Sequence, residues 1–131
     1  MIIYSRSGLA LLTSLFFLLI GPSMANSAYS DSELDTMVGP IALYPDPLLT
    51  NVIRASTFPD QVKVAASGGA VSDSWDDSVK AVSAYPDVLK LMSSNQEWMN
   101  SLGWAAANQL QDVMDAVQRF RYRAKNAGNL Q

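Results

Sequence analysis

The tripeptide Tyr-Pro-Asp occurs twice, at Tyr44-Pro45-Asp46 and Tyr85-Pro86-Asp87, with an offset of 41 residues. Each copy offers an aromatic face, a phenolic hydroxyl and a carboxylate, the equipment of a site that stacks and hydrogen-bonds a ligand. If the copies converge, Tyr44, Asp46, Tyr85 and Asp87 become the ligand or partner contacts of a pseudo-symmetric pocket. The same residues also have a structural explanation. Proline pushes the residue before it out of the α region and so enforces a corner. Aspartate is a favoured N-cap worth about 1 kcal/mol, and tyrosine packs over the joint. That account explains every residue of the motif without a ligand, and it is the one expected.

The remaining carboxylates are placed less well for chemistry. Asp76 and Asp77 are adjacent and point apart, while Asp112 and Asp115 lie at i, i+3 on one helical face. A two-carboxylate hydrolase needs its acids facing across a gap of about 5–10 Å. Asp115 also precedes Arg119 by four residues, the spacing of a surface ion pair. Asp73-Ser74-Trp75-Asp76-Asp77 superficially resembles a calcium loop, yet it lacks the spaced oxygens, turn glycine and terminal glutamate of an EF-hand. The chain contains no histidine and no cysteine. That excludes Ser-His-Asp and Cys-His catalysis, zinc sites built on those residues, and any disulfide framework. No catalytic residue, metal or cofactor is therefore expected, and an Asp/Ser hydrolase is the least favoured reading.

The other distinctive cluster is basic: Arg119, Arg121, Arg123 and Lys125, interleaved with Phe120 and Tyr122. As a surface patch it would engage anionic headgroups, lipopolysaccharide phosphates or an acidic partner protein. The plainer reading is that cations in the last turns complement the helix dipole and keep an exposed face soluble. The whole chain carries 9 basic and 12 acidic residues, a formal charge of −3. Nucleic acid is a poor partner for such a chain.

These groups must be positioned by whatever follows the first 25 residues, which read as a secretory leader. Arg6 supplies a positive charge, and Leu9 to Ile20 form a nearly unbroken apolar run. At about 1.5 Å per residue that run is too short for a hydrocarbon core near 30 Å thick. Gly21-Pro22 breaks it, and Ser23-Met24-Ala25 puts small residues at −3 and −1 of a processing site. Cleavage after Ala28 and an uncleaved anchor helix are the alternatives. Residues 1–25 are thus expected to be a signal peptide and 26–131 one domain, periplasmic or secreted, without a transmembrane segment. The lack of cysteine argues against lipid anchoring.

The mature part reads as all-α. Ser32 or Asp31 can cap a first helix, whose Leu34, Met37, Val38, Ile41 and Ala42 follow i, i+3, i+4, i+7 spacing. Asp46-Pro47 reads as a cap with proline at the first helical position, followed by the stripe Leu48, Leu49, Val52 and Ile53. A short helix through Gln61–Ala66 precedes the flexible Ser67-Gly68-Gly69. Asp76 and Asp87 are expected to cap the next two helices. Asn95 opens a segment containing Trp98, Met99 and Leu102, and Gly103 is expected to interrupt or kink it. The longest helix then runs over roughly 104–127, with a core seam of Leu110, Val113, Met114, Val117, Phe120 and Ala124. The repeated corners suggest two similar helical hairpins joined at Tyr-Pro-Asp, with the long C-terminal helix across them.

Several blocks resemble a known family. Ile41-Ala42-Leu43-Tyr44-Pro45-Asp46 with Leu48-Leu49 and Ala55-Ser56-Thr57-Phe58-Pro59 forms the first block. Trp75-Asp76 with Ser78-Val79-Lys80-Ala81 forms the second. Asp112-Val113-Met114, Ala116-Val117-Gln118-Arg119 and Ala127-Gly128-Asn129-Leu130 form the third. In this order they are similar to an uncharacterised bacterial family numbered three-thousand-three-hundred among the domains of unknown function. The resemblance implies an exported helical domain and carries over no catalytic residue. Other members have an extra helical stretch where this chain has Ser67-Gly68-Gly69-Ala70, and many continue into a low-complexity tail. The expected role is that of a non-catalytic envelope protein acting on an unidentified envelope protein or anionic envelope component. A ligand-binding or inhibitor module using the Tyr-Pro-Asp corners is the alternative.

Overall fold

The computed structural model describes residues 28–128, and the expected leader lies outside the described residues. Among the described residues seven helices follow one another: α1 (Asp31–Val38), α2 (Asp46–Ala55), α3 (Pro59–Ala66), α4 (Asp77–Val82), α5 (Pro86–Ser94), α6 (Gln96–Asn108) and α7 (Leu110–Asn126). No strand occurs among the described residues. The domain is all-α, as the periodicity predicts.

The starts of these helices use aspartate differently from the sequence expectation. α1 begins with a capping box: Ser30 Oγ accepts from the Glu33 amide, and Glu33 accepts from the Ser30 amide. Neither Ser32 nor Asp31 is the cap. At both Tyr-Pro-Asp corners the cap position falls to Pro45 and Tyr85, with no side-chain cap bond. Asp46 stands one residue past its cap and Asp87 two, both in the first helical turn, where they favour the positive end of the dipole without bonding an amide. The reason is geometric. A proline at or next to the first helical position fixes its own φ, so the chain enters the helix at the proline and the aspartate becomes helical. Of the aspartates expected as caps, Asp76 alone caps by its side chain, accepting from the Ser78 amide at 3.0 Å.

The apolar stripes are buried where the spacing puts them. Leu34, Val38, Ile41 and Ala42 are sealed from solvent with Leu49, Val52, Val79, Val82, Met92, Met99, Leu102, Val113 and Val117 in one core. Leu110 departs from its expected seam and is 52% exposed, because α7 only begins there.

α6 is the central element and touches α1, α2, α3, α5 and α7. Gly103 lies inside it and does not interrupt it. A Cβ on Gly103 would collide with the Ser56 carbonyl at the end of α2. Glycine is thus required for close approach of two backbones, and its helix-propensity penalty of about 1 kcal/mol is tolerated for that contact. The break falls instead at Gln109, between α6 and α7. Its side-chain amide accepts from Tyr29 N at 2.8 Å and donates to Tyr29 O at 3.1 Å, tying down the entering chain.

The corners join successive helices as expected, but each helix finds its main neighbour elsewhere. α1 packs chiefly on α7, α2 on α4, and α3 on α5. The C-terminal helix rests on α1 and α6 and does not lie across both corner-joined pairs.

Candidate functional site

α7 ends in the basic run, and its side chains turn inward onto the start of the domain. α1 and α7 lie side by side, so successive arginines meet successive acceptors. Arg119 reaches Asp35, with Nη2 2.7 Å from Oδ1 and Nε donating to the same oxygen at 2.9 Å. Asp31 stands 3.9 Å from Arg119. Arg123 approaches the other oxygen of Asp35 at 3.5 Å and lies over the Phe120 ring, 6.0 Å from its centre. The hydrogen bond to Asp35 holds Arg119 more firmly protonated than usual, against the opposing effect of burial, with Asp35, Asp31 and Asp115 adding attraction.

Arg121 clasps the first corner. Its Nε donates to Ala42 O at 2.8 Å, Nη2 to Tyr44 O at 2.9 Å and Nη1 to Asp46 Oδ1 at 2.7 Å. Ala42 and Tyr44 sit in the turns after α1, where no helical amide follows to take up their carbonyls. The guanidinium fork satisfies both, and Asp46 supplies the counter-charge. Lys125 remains exposed with no ion pair among the described residues, so the sequence's four-cation patch is three-quarters an internal clasp.

The four corner residues are not gathered into one pocket. Tyr44 is half-buried against the core, and with Leu43, Pro45, Asp46 and Arg121 it borders a shallow depression that includes neither Tyr85 nor Asp87. Tyr85 is 49% exposed. Asp115, expected to pair with Arg119 on its own helix, instead accepts from Gln111 at 3.0 Å, because Arg119 is drawn across to α1. Asp112 accepts from Gln109.

A second ion pair holds the start of α4. Arg54 at the end of α2 bonds both oxygens of Asp76 at 3.0 and 3.2 Å. That bond first, then the Ser78 hydroxyl and amide, hold Asp76 far below the usual carboxylate range. Gln61 accepts from the Asp76 amide at 2.8 Å. No cluster of acids of metal-binding size occurs among the described residues. The tryptophans divide: Trp98 donates to Met37 O at 2.7 Å, whereas Trp104 is 44% exposed, edge-on to Tyr29.

Two of the larger hollows among the described residues went unrecognised in the sequence. One, of about 470 Å³, is floored by Ile53, Phe58, Ala106 and Met114 with exposed Leu110 beside it. The other, of about 420 Å³, lies between the 68–75 loop and the second corner, with Trp75 and Lys90 on its walls. Both depend on which helices meet, which local spacing does not encode. The first had one local signal, an apolar Leu110 ahead of the periodic seam.

Seven helices, two Tyr-Pro-Asp corners and an arginine clasp across the first define a small all-helical domain that contains the three signature blocks in order. The chain belongs to the family described as protein of unknown function DUF3300, which matches residues 30–131. It is similar to the "Uncharacterized protein YacH" of Escherichia coli (strain K12), with 42% identity over 125 residues, 85% of this chain and 20% of that protein. The chain thus spans about one fifth of the length of the curated relative it matches. No solved structure matches it.

Proposed function

We propose that this is an exported envelope domain that works through surface contact with another envelope component and not through turnover. The observation that carries the reading is the use made of its charged groups. Arg54, Arg119, Arg121 and Arg123 meet Asp76, Asp31, Asp35 and Asp46 across helix boundaries, so the side chains best suited to chemistry hold the fold together. Export is supported by the leader-like pattern of residues 1–25, with its short apolar run and the Ser23-Met24-Ala25 processing signal. The described helices include none long and apolar enough to cross a membrane. Within this reading, Lys125 and the outer face of Arg123 are the cationic positions left for an anionic partner, with exposed Tyr122 beside them.

The test has two parts. Mass spectrometry of the protein recovered by osmotic shock should give a mature chain beginning at Asn26, whereas retention in the cytoplasm with residues 1–25 intact would end the export reading. A photo-crosslinker at Tyr122 should then capture one envelope component, and Lys125→Glu should abolish the product with the melting temperature unchanged. Capture that ignores this charge reversal would contradict the contact reading.

A further inference from the structure

We infer that the cleft between the 68–75 loop and the second corner binds a small carboxylate attached to a six-membered ring. Its volume, about 420 Å³, falls within the roughly 300–1,000 Å³ of small-molecule sites. Gly68 and Gly69 edge it on one side, and the loop passes through Gly68 at φ +93°, a conformation that side-chain-bearing residues rarely adopt. Half-buried Trp75 lines the cleft and packs on the core, offering a flat apolar face in a fixed place.

The charge of this cleft is opposite to that of the chain. Lys90 is the sole ionisable residue in its lining and makes no ion pair among the described residues, although the protein is net acidic. The two other cross-helix cation sites, at Arg54 and at Arg119–Arg123, are already matched by aspartates. Ser83 and Ser93 add hydroxyls; the Ser83 proton is committed to Val79 O at 2.8 Å, which leaves its oxygen as an acceptor. A cation, a tryptophan face and a hydroxyl acceptor together suit an anionic group on a ring that carries a donor of its own. Two sources share this chemistry, a sugar acid and an aromatic acid.

Both are tested on purified protein, so the outcome is separable from export or partner capture. Glucuronate and 4-hydroxybenzoate, each with a hydroxyl donor on its ring, are titrated, with glucose and acetate as controls for ring and charge alone, while indole and amide resonances are followed by NMR. At least one ring carboxylate should shift the Trp75 indole and the Gly68 and Gly69 amides saturably, binding about tenfold more tightly than either control, as expected for one charge-assisted bond. Glucuronate alone marks a sugar-acid site, and 4-hydroxybenzoate alone an aromatic-acid site. Lys90→Gln, at an exposed position, should weaken binding about tenfold while the unliganded spectrum elsewhere is unchanged. Acetate binding as well as the ring acids, shifts centred on Lys125, retained affinity in Lys90→Gln, or no saturable shift at Trp75 with any probe would each overturn the inference.

Discussion

The two Tyr-Pro-Asp corners share a tripeptide and differ in what holds them. At the first, a guanidinium from α7, over 70 residues away in the chain, bonds two backbone carbonyls and the corner aspartate, and Tyr44 is half-buried. At the second, the turn is made by local bonds, Ser83 N to Val79 O and Tyr85 N to Val82 O, and Tyr85 stands half in solvent. The tripeptide therefore specifies the bend, while tertiary structure decides whether the bend is also an anchoring point. The first corner fastens the C-terminal helix. The second is free to border a cleft.

Substitutions separate the two roles, and the largest effect should come from the clasp. Arg121→Met leaves the Ala42 and Tyr44 carbonyls without their donor and should cost about 2–3 kcal/mol in urea denaturation. A loss comparable to that of an exposed arginine would erase the distinction between the corners. Next is the tyrosine pair. Tyr44→Ala should destabilise by about 2 kcal/mol, and Tyr85→Ala by less than about 0.5 kcal/mol, since only the former removes area packed on the core. Equal costs would mean that both rings act alike. The aspartates come third. Asp46→Ala should cost about 1 kcal/mol and Asp87→Ala about 0.5 kcal/mol, because only Asp46 adds an exposed ion pair to its favourable place at the helix start.

The helix leading into the second corner supplies a pH-dependent contrast. The folded-state pKa of Asp76 is depressed by Arg54 and Ser78. Its stabilising contribution is therefore complete above the ordinary carboxylate pKa near 4 and is lost as pH falls below it. Asp76→Asn should lower the melting temperature most at neutral pH, and the gap to the parent protein should narrow on acidification. A gap independent of pH would remove the ion pair from the account.

Much of this architecture is local and so can be read from spacing. The buried sets Leu34–Ile41, Leu49–Ile53 and Val113–Val117 follow the helical period, and the prolines mark both corners. Ser30-Asp31-Ser32-Glu33 also carries the capping-box pattern that starts α1, one position ahead of Asp31 and two ahead of Ser32, the expected caps. What depends on distant pairing was not legible. Gly103 reads as a breaker until Ser56 is known to press against it, and Gln109 carries no breaker signal because its helix-ending role depends on Tyr29. The basic run reads as a surface patch for the same reason: Asp35 and Arg119 are 84 residues apart, and only the packing of α1 on α7 unites them.

That union is most directly measured by a double-mutant cycle on Asp35 and Arg119, whose charged atoms lie 2.7 Å apart in a partly shielded setting. Equilibrium denaturation of Asp35→Ala, Arg119→Met, the double variant and the parent should give a non-additive coupling in favour of the pair. Additive losses, with a coupling near zero, would show that the C-terminal cations do not hold α7 to α1 and would return them to solvent as a free patch.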